Sequence, residues 1–357
     1  MTELFVRTPG GSYPVIVSAG ALAQLPEWLE QLGLRGTCWL ISDAAVQAAF
    51  AEPLTASLAT NGRNVHSYSV RSGEPSKDLA TAMELYTWMI GGGVERRDVV
   101  LALGGGVIGD LAGFVAATVL RGVAVIQLPT TLLAMVDSSV GGKTGINHPL
   151  GKNLIGSFHQ PRLVLADTGT LGTLPPRELR SGWAEVIKHG VIRDAGLFTQ
   201  LEQEPTTWRS ASAALIQRAV AVKVEVVNID ERETGERMLL NYGHTLGHAV
   251  EALAGYGELL HGEAIAIGMD LEAQIADRLG MLEPGFVARQ RALLSAYGLP
   301  TLLPEGMHAD DLIRLTLRDK KVRAGRVRWV LPTGIGGAVV REDIPEELVR
   351  NILTGAA

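Results

Sequence analysis

Hydrophobic positions follow two different rhythms along the chain. In the first half, short Val/Ile/Leu runs alternate with stretches of helical period, the pattern of a sheet covered by helices. Strands are expected over 37–41, 64–70, 98–103 and 123–128. Between them, the spacing Leu79, Met83, Tyr86, Ile90 predicts a helix over 77–90, which Gly91-Gly92-Gly93 ends. After Leu174-Pro175-Pro176 long helical periods take over. Leu215, Ala219, Val222 and Val226 share one helical face, and Ala264, Ile267, Leu271, Ile275 and Leu279 form another stripe that Gly280 can terminate. The expectation is an α/β domain over residues 1–176 and an all-helical domain over 177–357.

Composition narrows this picture. With 46% hydrophobic and 20% charged positions, 357 residues can bury one large core or two ordinary ones. A net charge of -6 argues against a nucleic-acid binder, whose footprint is a basic face. The apolar stretches, such as 114–120 between Asp110 and Arg121, are far shorter than the roughly 20 residues a bilayer requires, so no membrane span is expected. Cys38 is the sole cysteine, which rules out an internal disulfide and a thiolate zinc site. The first residues, Met1-Thr2-Glu3-Leu4-Phe5-Val6-Arg7, lack a signal-peptide core, and a reducing cytoplasm is the expected location.

Candidate chemistry begins at Gly104-Gly105-Gly106-Val107-Ile108-Gly109-Asp110, where Gly104, Gly106 and Gly109 satisfy G-x-G-x-x-G between a strand and a helix. Glycines there let backbone N–H groups approach a pyrophosphate at the helix N-terminus. The motif is weak alone, because any tight strand-to-helix turn can look the same. The stretch some 20 residues on, Gly122 to Thr131, has no acidic residue to grip a ribose, so a bound dinucleotide would sit in a variant arrangement. Gly141-Gly142-Lys143-Thr144 resembles the end of a P-loop, but Asp137 stands where its first glycine belongs. The surrounding 130–147 mixes hydroxyls, glycines and a cation too densely for a core element.

Asn241, His244, His248 and Glu251 are spaced to share one face of a helix among the apolar residues Leu240, Leu246, Ala249, Val250 and Leu253. A polar stripe on a buried helix is costly unless partners or ligands satisfy it. His261-Gly262-Glu263 opens the next helix, and Glu185 lies in Gly182-Trp183-Ala184-Glu185-Val186-Ile187-Lys188-His189. Two imidazoles and one carboxylate make a catalytic zinc shell with an open position. Spacing does not choose among His244, His248 and His261, and each taken singly could be a hydrogen-bonded structural histidine. Three of the eight histidines nevertheless fall in two adjoining glycine-bearing segments. Lys188, Lys223 and Arg237 accompany them, and a metal site ringed by cations suits a phosphorylated substrate.

These residues resemble the 3-dehydroquinate synthase family of sugar-phosphate cyclases. The resemblance is carried by 104–110, Pro129-Thr130-Thr131, 136–147, Gly151-Lys152-Asn153-Leu154-Ile155-Gly156, Leu174-Pro175, Ala184-Glu185-Val186-Ile187-Lys188, 240–251 and His261-Gly262-Glu263-Ala264. It implies a Rossmann-like NAD-binding domain followed by a helical metal-binding one. It implies that Zn²⁺, which Co²⁺ can replace, is held by Glu185, His244 and His261, leaving His248 for the substrate phosphate. It also implies that Asp137, Lys143, Asn153, Lys188, Lys223, Arg237 and Asn241 contact substrate. Arg121 would reach in from the partner of a homodimer, and Lys320 would join from the C-terminal side. Glu233 would orient Lys223 or relay protons, although a solvated glutamate in Asp230-Glu231-Arg232-Glu233 reads equally well. NAD would lie on Gly106, Val107, Ile108, Gly109, Asp110, Thr130, Thr131, Lys143 and Lys152 and on Thr170, Leu171, Gly172 and Thr173, with Asp43, Gly73, Glu74 and Lys77 contributing. The family's Asp-Gly-Glu-x-x-Lys here reads Ser72-Gly73-Glu74-Pro75-Ser76-Lys77, which puts one peripheral cofactor contact in doubt.

The implied reaction converts 3-deoxy-D-arabino-heptulosonate 7-phosphate into 3-dehydroquinate and phosphate. Hydride leaves C5 for NAD, phosphate is eliminated, hydride returns, and the ring opens and recloses as an aldol. Two other readings compete. A glycerol-dehydrogenase-like polyol oxidoreductase would share the glycine loop and a zinc-bearing helical domain, but would release NADH. A metal- and nucleotide-dependent regulatory module would leave the lysine and asparagine set unexplained.

Overall fold

The Val/Ile/Leu runs become strands whose side chains alternate between two cores. The computed structural model describes residues 3–205, 209–255, 257–317 and 327–355. Its strands are β1 (Leu4–Thr8), β2 (Gly11–Ser18), β3 (Cys38–Asp43), β4 (Val65–Val70), β5 (Val99–Gly104), β6 (Ala124–Pro129), β7 (Lys143–His148), β8 (Gly151–Phe158), β9 (Leu163–Asp167), β10 (Trp329–Gly334) and β11 (Gly337–Arg341). The helices are α1 (Leu25–Gln31), α2 (Glu52–Thr60), α3 (Leu79–Gly91), α4 (Gly106–Thr118), α5 (Pro176–Ile192), α6 (Ala195–Gln203), α7 (Ala213–Ile229), α8 (His244–Ala254), α9 (His261–Arg278), α10 (Phe286–Ala296), α11 (Ala309–Thr316) and α12 (Glu346–Thr354). They form two compact units, Met1–Leu174 with Ser212–Glu231, and Pro175–Ala211 with Arg232–Ala357.

The first unit is built on a seven-stranded sheet in the order β1-β2-β9-β6-β5-β3-β4. It is parallel apart from the β1–β2 hairpin. Val99, Leu101 and Leu103 of β5 point into a core shared with Leu25, Leu29, Leu54 and Leu58 of α1 and α2. Val100 and Ala102 point the other way, toward Leu85 of α3 and Leu111 and Val115 of α4. Period-two alternation therefore gives both faces of one strand an apolar partner, as parallel sheets require. The chain leaves β3 for β4 at one edge and returns to β5 on the other side of β3. That reversal opens a crevice at the carboxyl ends of β3 and β5, where ligands of open α/β sheets bind.

Three expectations meet corrections here. Asp78 caps α3 by accepting from Thr81 N–H at 2.8 Å, so the helix starts at Leu79 and Lys77 lies in the preceding turn. Its buried face is Ala82, Leu85 and Met89, whereas Leu79, Met83 and Ile90 are exposed. Helix α7, expected with the helical half, belongs to the first unit. Its Asn228 Oδ1 accepts Arg7 N–H at 2.7 Å, and its Nδ2 donates to Phe5 O at 3.2 Å, tying the helix along β1.

The second unit packs helices around Leu246, Val250, Ala264, Ile267, Leu271 and Ile275. Among the described residues its regular structure is helical except for the β10–β11 hairpin, whose Trp329 and Leu331 complete that core. The apolar run 329–331, followed by Gly334, Gly336 and Gly337, was the local signal for this departure from an all-helical domain. Among the described residues, no helix is long and apolar enough to cross a membrane.

Candidate metal centre and nucleotide edge

In the second unit three helices each bring one ligand-bearing side chain to the same point. Glu185 is in mid-α5 and fully buried, while His244 and His261 are the first residues of α8 and α9. Their Nε2 atoms each lie 3.6 Å from Glu185 Oε1. That separation is long for a hydrogen bond, but it matches the edge of a tetrahedron with metal bonds of about 2.0–2.2 Å, which is roughly 3.3–3.6 Å. The other ring nitrogens are turned outward by partners. His244 Nδ1 is 3.0 Å from Tyr242 O, and His261 Nδ1 is 3.3 Å from Glu251 Oε2. Such partners fix tautomer and ring orientation in metal sites. The donor set therefore fits a divalent ion.

Close helix crossings make this convergence possible. A Cβ on Gly268 would lie 1.9 Å from Gly243 O, and one on Gly262 would lie 1.9 Å from Ser181 O. Glycine at these two positions lets α9 touch α8 and α5 backbone to backbone. Gly262 N–H also donates to Ser181 Oγ at 3.0 Å.

Charge is matched around the ligands. Lys188, one turn beyond Glu185 and 1% exposed, is ion-paired with Glu185 Oε2 and donates to Leu240 O at 2.7 Å. Burial pushes the His261 imidazole down, but hydrogen bonds and charge from Glu185 and Glu251 push it further up, to about 9. A metal ion binding there has to displace that proton. The His248 ring centroid is 5.2 Å from that of His244 and 5.9 Å from that of His261, at the rim of the cluster. Arg237 is buried nearby in sequence, in the 3₁₀ turn Glu236–Asn241. Asn241 ends that turn and does not join the helical face expected for it. Gly243 adopts φ 78°, a left-handed kink that separates the turn from α8. Asn241 Nδ2 instead donates to Glu233 Oε1 at 2.5 Å, and the acceptor residue Glu233 is itself left-handed at φ 61°. Lys320 lies outside the described residues.

In the first unit the expected cofactor residues line the carboxyl ends of the strands. Asp43 ends β3, Gly106–Asp110 form the first turn of α4 after β5, Thr130 and Thr131 follow β6, and Thr170–Thr173 follow β9. No side chain caps α4 at Gly105 and no acid stands among its first four residues, Gly106–Gly109, which leaves N–H groups for an anion. Thr130 N–H donates to Gly104 O at 2.9 Å, and Thr170 Oγ1 donates to Asp167 O at 2.8 Å, so these turns are braced.

Beyond β4, Gly73 stands at a positive φ of 98°, and Glu74 and Lys77 after it meet the β7–β8 hairpin. Lys77 Nζ donates to Asp110 Oδ2 at 2.5 Å and to Asn153 Oδ1 at 2.6 Å. Asn147, unassigned from sequence, links Glu74 at 2.7 Å to the Asn153 N–H at 2.9 Å. Lys152 Nζ is 3.9 Å from Glu74. Burial raises the Asp110 carboxyl more than Lys77 lowers it. Lys143 is exposed at the start of β7, Asp137 pairs with Lys223 of α7 at 2.6 Å, and Arg121 sits exposed in a left-handed turn after α4.

Family models described as 3-dehydroquinate synthase N-terminal and C-terminal match residues 67–181 and 182–322. The chain belongs to the 3-dehydroquinate synthase family. It is 48% identical over 362 residues to the 3-dehydroquinate synthase of Nostoc punctiforme, covering 99% of this chain and 100% of that one. Among solved structures, 2-epi-5-epi-valiolone synthase from Streptomyces hygroscopicus, with NAD⁺ and Zn²⁺ bound, is 32% identical with a TM-score of 0.90, covering 98% of each chain. A 2-deoxy-scyllo-inosose synthase complexed with carbaglucose-6-phosphate, NAD⁺ and Co²⁺ is 27% identical with a TM-score of 0.87, covering 100% of each. Local pattern did not single out the contacts of Glu251 and Tyr242 with the two imidazoles: Glu251 was visible in the polar stripe without a role, and Tyr242 makes its contact through a backbone carbonyl.

Proposed function

We propose that this protein converts 3-deoxy-D-arabino-heptulosonate 7-phosphate to 3-dehydroquinate and phosphate, using NAD and a divalent metal. Two observations carry the reading: a 3-dehydroquinate synthase match along 99% of the chain, and the Glu185-His244-His261 cluster, whose ligand atoms all lie within 4.8 Å of one another. Glu185, His244 and His261 are the metal ligands. Gly106–Asp110, Thr130, Thr131, Lys152 and Thr170–Thr173 hold NAD, with Asp43, Gly73, Glu74, Lys77 and Lys143. Held by these residues, a divalent ion would supply Lewis acidity at the substrate's C5 hydroxyl, and NAD would supply a reversible hydride acceptor.

The chain's own residues then bind and orient. In the second unit Lys188 is a cation fixed by Glu185 and Leu240 O, Arg237 is a buried guanidinium, and Glu233 orients Asn241. In the first unit Asp137 and Lys223 fix each other. The C6 proton passes to the substrate's own phosphate, so Lys143, Asn153, Lys188 and His248 position that group rather than take the proton. Lys320 is assigned to the substrate on the resemblance alone.

The same reading makes the protein a cytoplasmic homodimer in which Arg121 serves the partner's site. Support comes from the exposed stripe Leu79, Met83 and Ile90, since contiguous apolar surface marks interaction sites. Tyr86 of α3 bonds Thr118 at 2.6 Å, which puts that stripe beside the Arg121 turn.

The test is one incubation with substrate, Zn²⁺ and a trace of NAD⁺. The expected result is one phosphate per 3-dehydroquinate with no net NADH. Accumulation of NADH without phosphate would indicate a polyol dehydrogenase, and no turnover under any metal would overturn the enzymatic reading.

A further inference from the structure

His244 is placed by a residue outside the ligand set. Glu272, on α9 and fully buried, reaches the first turn of α8. Its Oε2 accepts Gly243 N–H at 2.7 Å, and its Oε1 accepts Thr245 N–H at 3.0 Å and Leu246 N–H at 3.2 Å. These are donors that a helix cannot satisfy by itself at its N-terminus. The ordinary remedy is a Ser, Thr, Asp or Asn at the N-cap. That position is Gly243, where a Cβ would lie 2.5 Å from Met269 Cγ and 2.9 Å from Ile265 O, so no capping side chain fits. The acceptor has to come from a neighbouring helix, and a carboxylate also meets the positive end of the helix dipole.

The preceding residue is anchored to the same helix. Tyr242 Oη is 2.9 Å from Met269 O and 2.8 Å from Gln290 Oε1, while Tyr242 O faces His244 Nδ1 at 3.0 Å. Peptides on both sides of His244 are therefore held from α9, the helix that begins with His261.

We propose that Glu272 is a positioning residue for the metal centre: its carboxylate clamps the first turn of α8 and so aims His244 Nε2 toward Glu185. The inference rests on His244 being a metal ligand. In Glu272→Gln an NH₂ donor replaces one acceptor oxygen and faces backbone N–H groups. In Glu272→Asp the charge stays, but the side chain is one methylene shorter and cannot reach all three donors.

The experiment measures Co²⁺ affinity of the full chain by competition with a chromogenic chelator, together with the visible spectrum of bound Co²⁺. Far-UV circular dichroism at the parent's helical intensity reports that the helical unit of each variant is folded. Glu272→Gln is expected to lose on the order of 10–100-fold in affinity, as when groups orienting metal ligands are removed, with altered Co²⁺ bands. Glu272→Asp should lose less and keep a spectrum closer to the parent, and His244→Ala should lose more than either. Parental affinity and spectrum in both Glu272 variants, with His244→Ala impaired, would overturn the positioning role alone. Parental affinity in His244→Ala would instead overturn the ligand assignment, and the inference with it.

Discussion

Replacing Gly268 by alanine puts one methyl group where α8 and α9 touch. The new Cβ would stand 1.9 Å from Gly243 O and 2.6 Å from Gly247 N. Bringing the oxygen contact from 1.9 Å to the 3.0 Å that real Cβ atoms respect requires a displacement of about 1.1 Å. Both obstructing atoms are backbone, so no rotamer change relieves the clash, and the helices must part. Overpacking of this kind costs about 1–3 kcal/mol. At about 2–4 °C per kcal/mol for a unit of this size, the metal-free midpoint should fall by roughly 2–12 °C.

The displaced peptide is the one immediately before His244, and metal–ligand distances tolerate only about 0.2 Å. Metal affinity is therefore expected to fall at least on the order of 10–100-fold, which chelator competition measures. Gly91→Ala is the control, because a Cβ there meets nothing within 4 Å. A Gly268→Ala protein with the parent's melting midpoint and metal affinity would refute the claim that this crossing sets the ligand geometry.

Lys188→Met should strip the buried Glu185 carboxylate of its paired cation, leaving the His261 imidazolium 3.6 Å away, and cost about 1–3 kcal/mol in chelator-treated protein, and less with metal present; thermal scans under both conditions check this. Cys38, whose thiol burial pushes up to about 11, should stay inert to a disulfide reagent at pH 8 until denaturant is added, since the thiolate is the nucleophile. Its folded pKa exceeds the unfolded value of about 8.5, so its contribution to stability is lost as pH rises from there through about 11; prompt reaction of the folded protein at pH 8 would contradict this. Met83→Glu, in the exposed stripe of α3, should convert a dimer to monomers in sedimentation while leaving metal affinity unchanged, and a dimer that survives it is built elsewhere.

Much of this protein was legible before any tertiary structure. Strands β3 to β6, the glycine turn after β5 and the histidine-rich segments around 244–248 and 261 announce themselves locally, because alternation, turn chemistry and clustered polar side chains are properties of short segments. Helix α3 shows where that ends: Leu79, Met83, Tyr86 and Ile90 have a core-like period, yet the sheet receives Ala82, Leu85 and Met89. Periodicity reports that a face is apolar, not which partner will cover it. Likewise, the departure of Asn241 from the α8 face needed the left-handed Gly243, and α7 joined the first unit through bonds to Phe5 and Arg7, more than 200 residues away in sequence. The braces on His244 come from α9 and α10, and a carboxylate such as Glu272 inside an apolar helical stripe carries no local mark of what it will hold. Those pairings are decided only when distant segments compete for the same buried donors, which is why the chain offered candidate ligands by residue type and spacing but no sign of their supports.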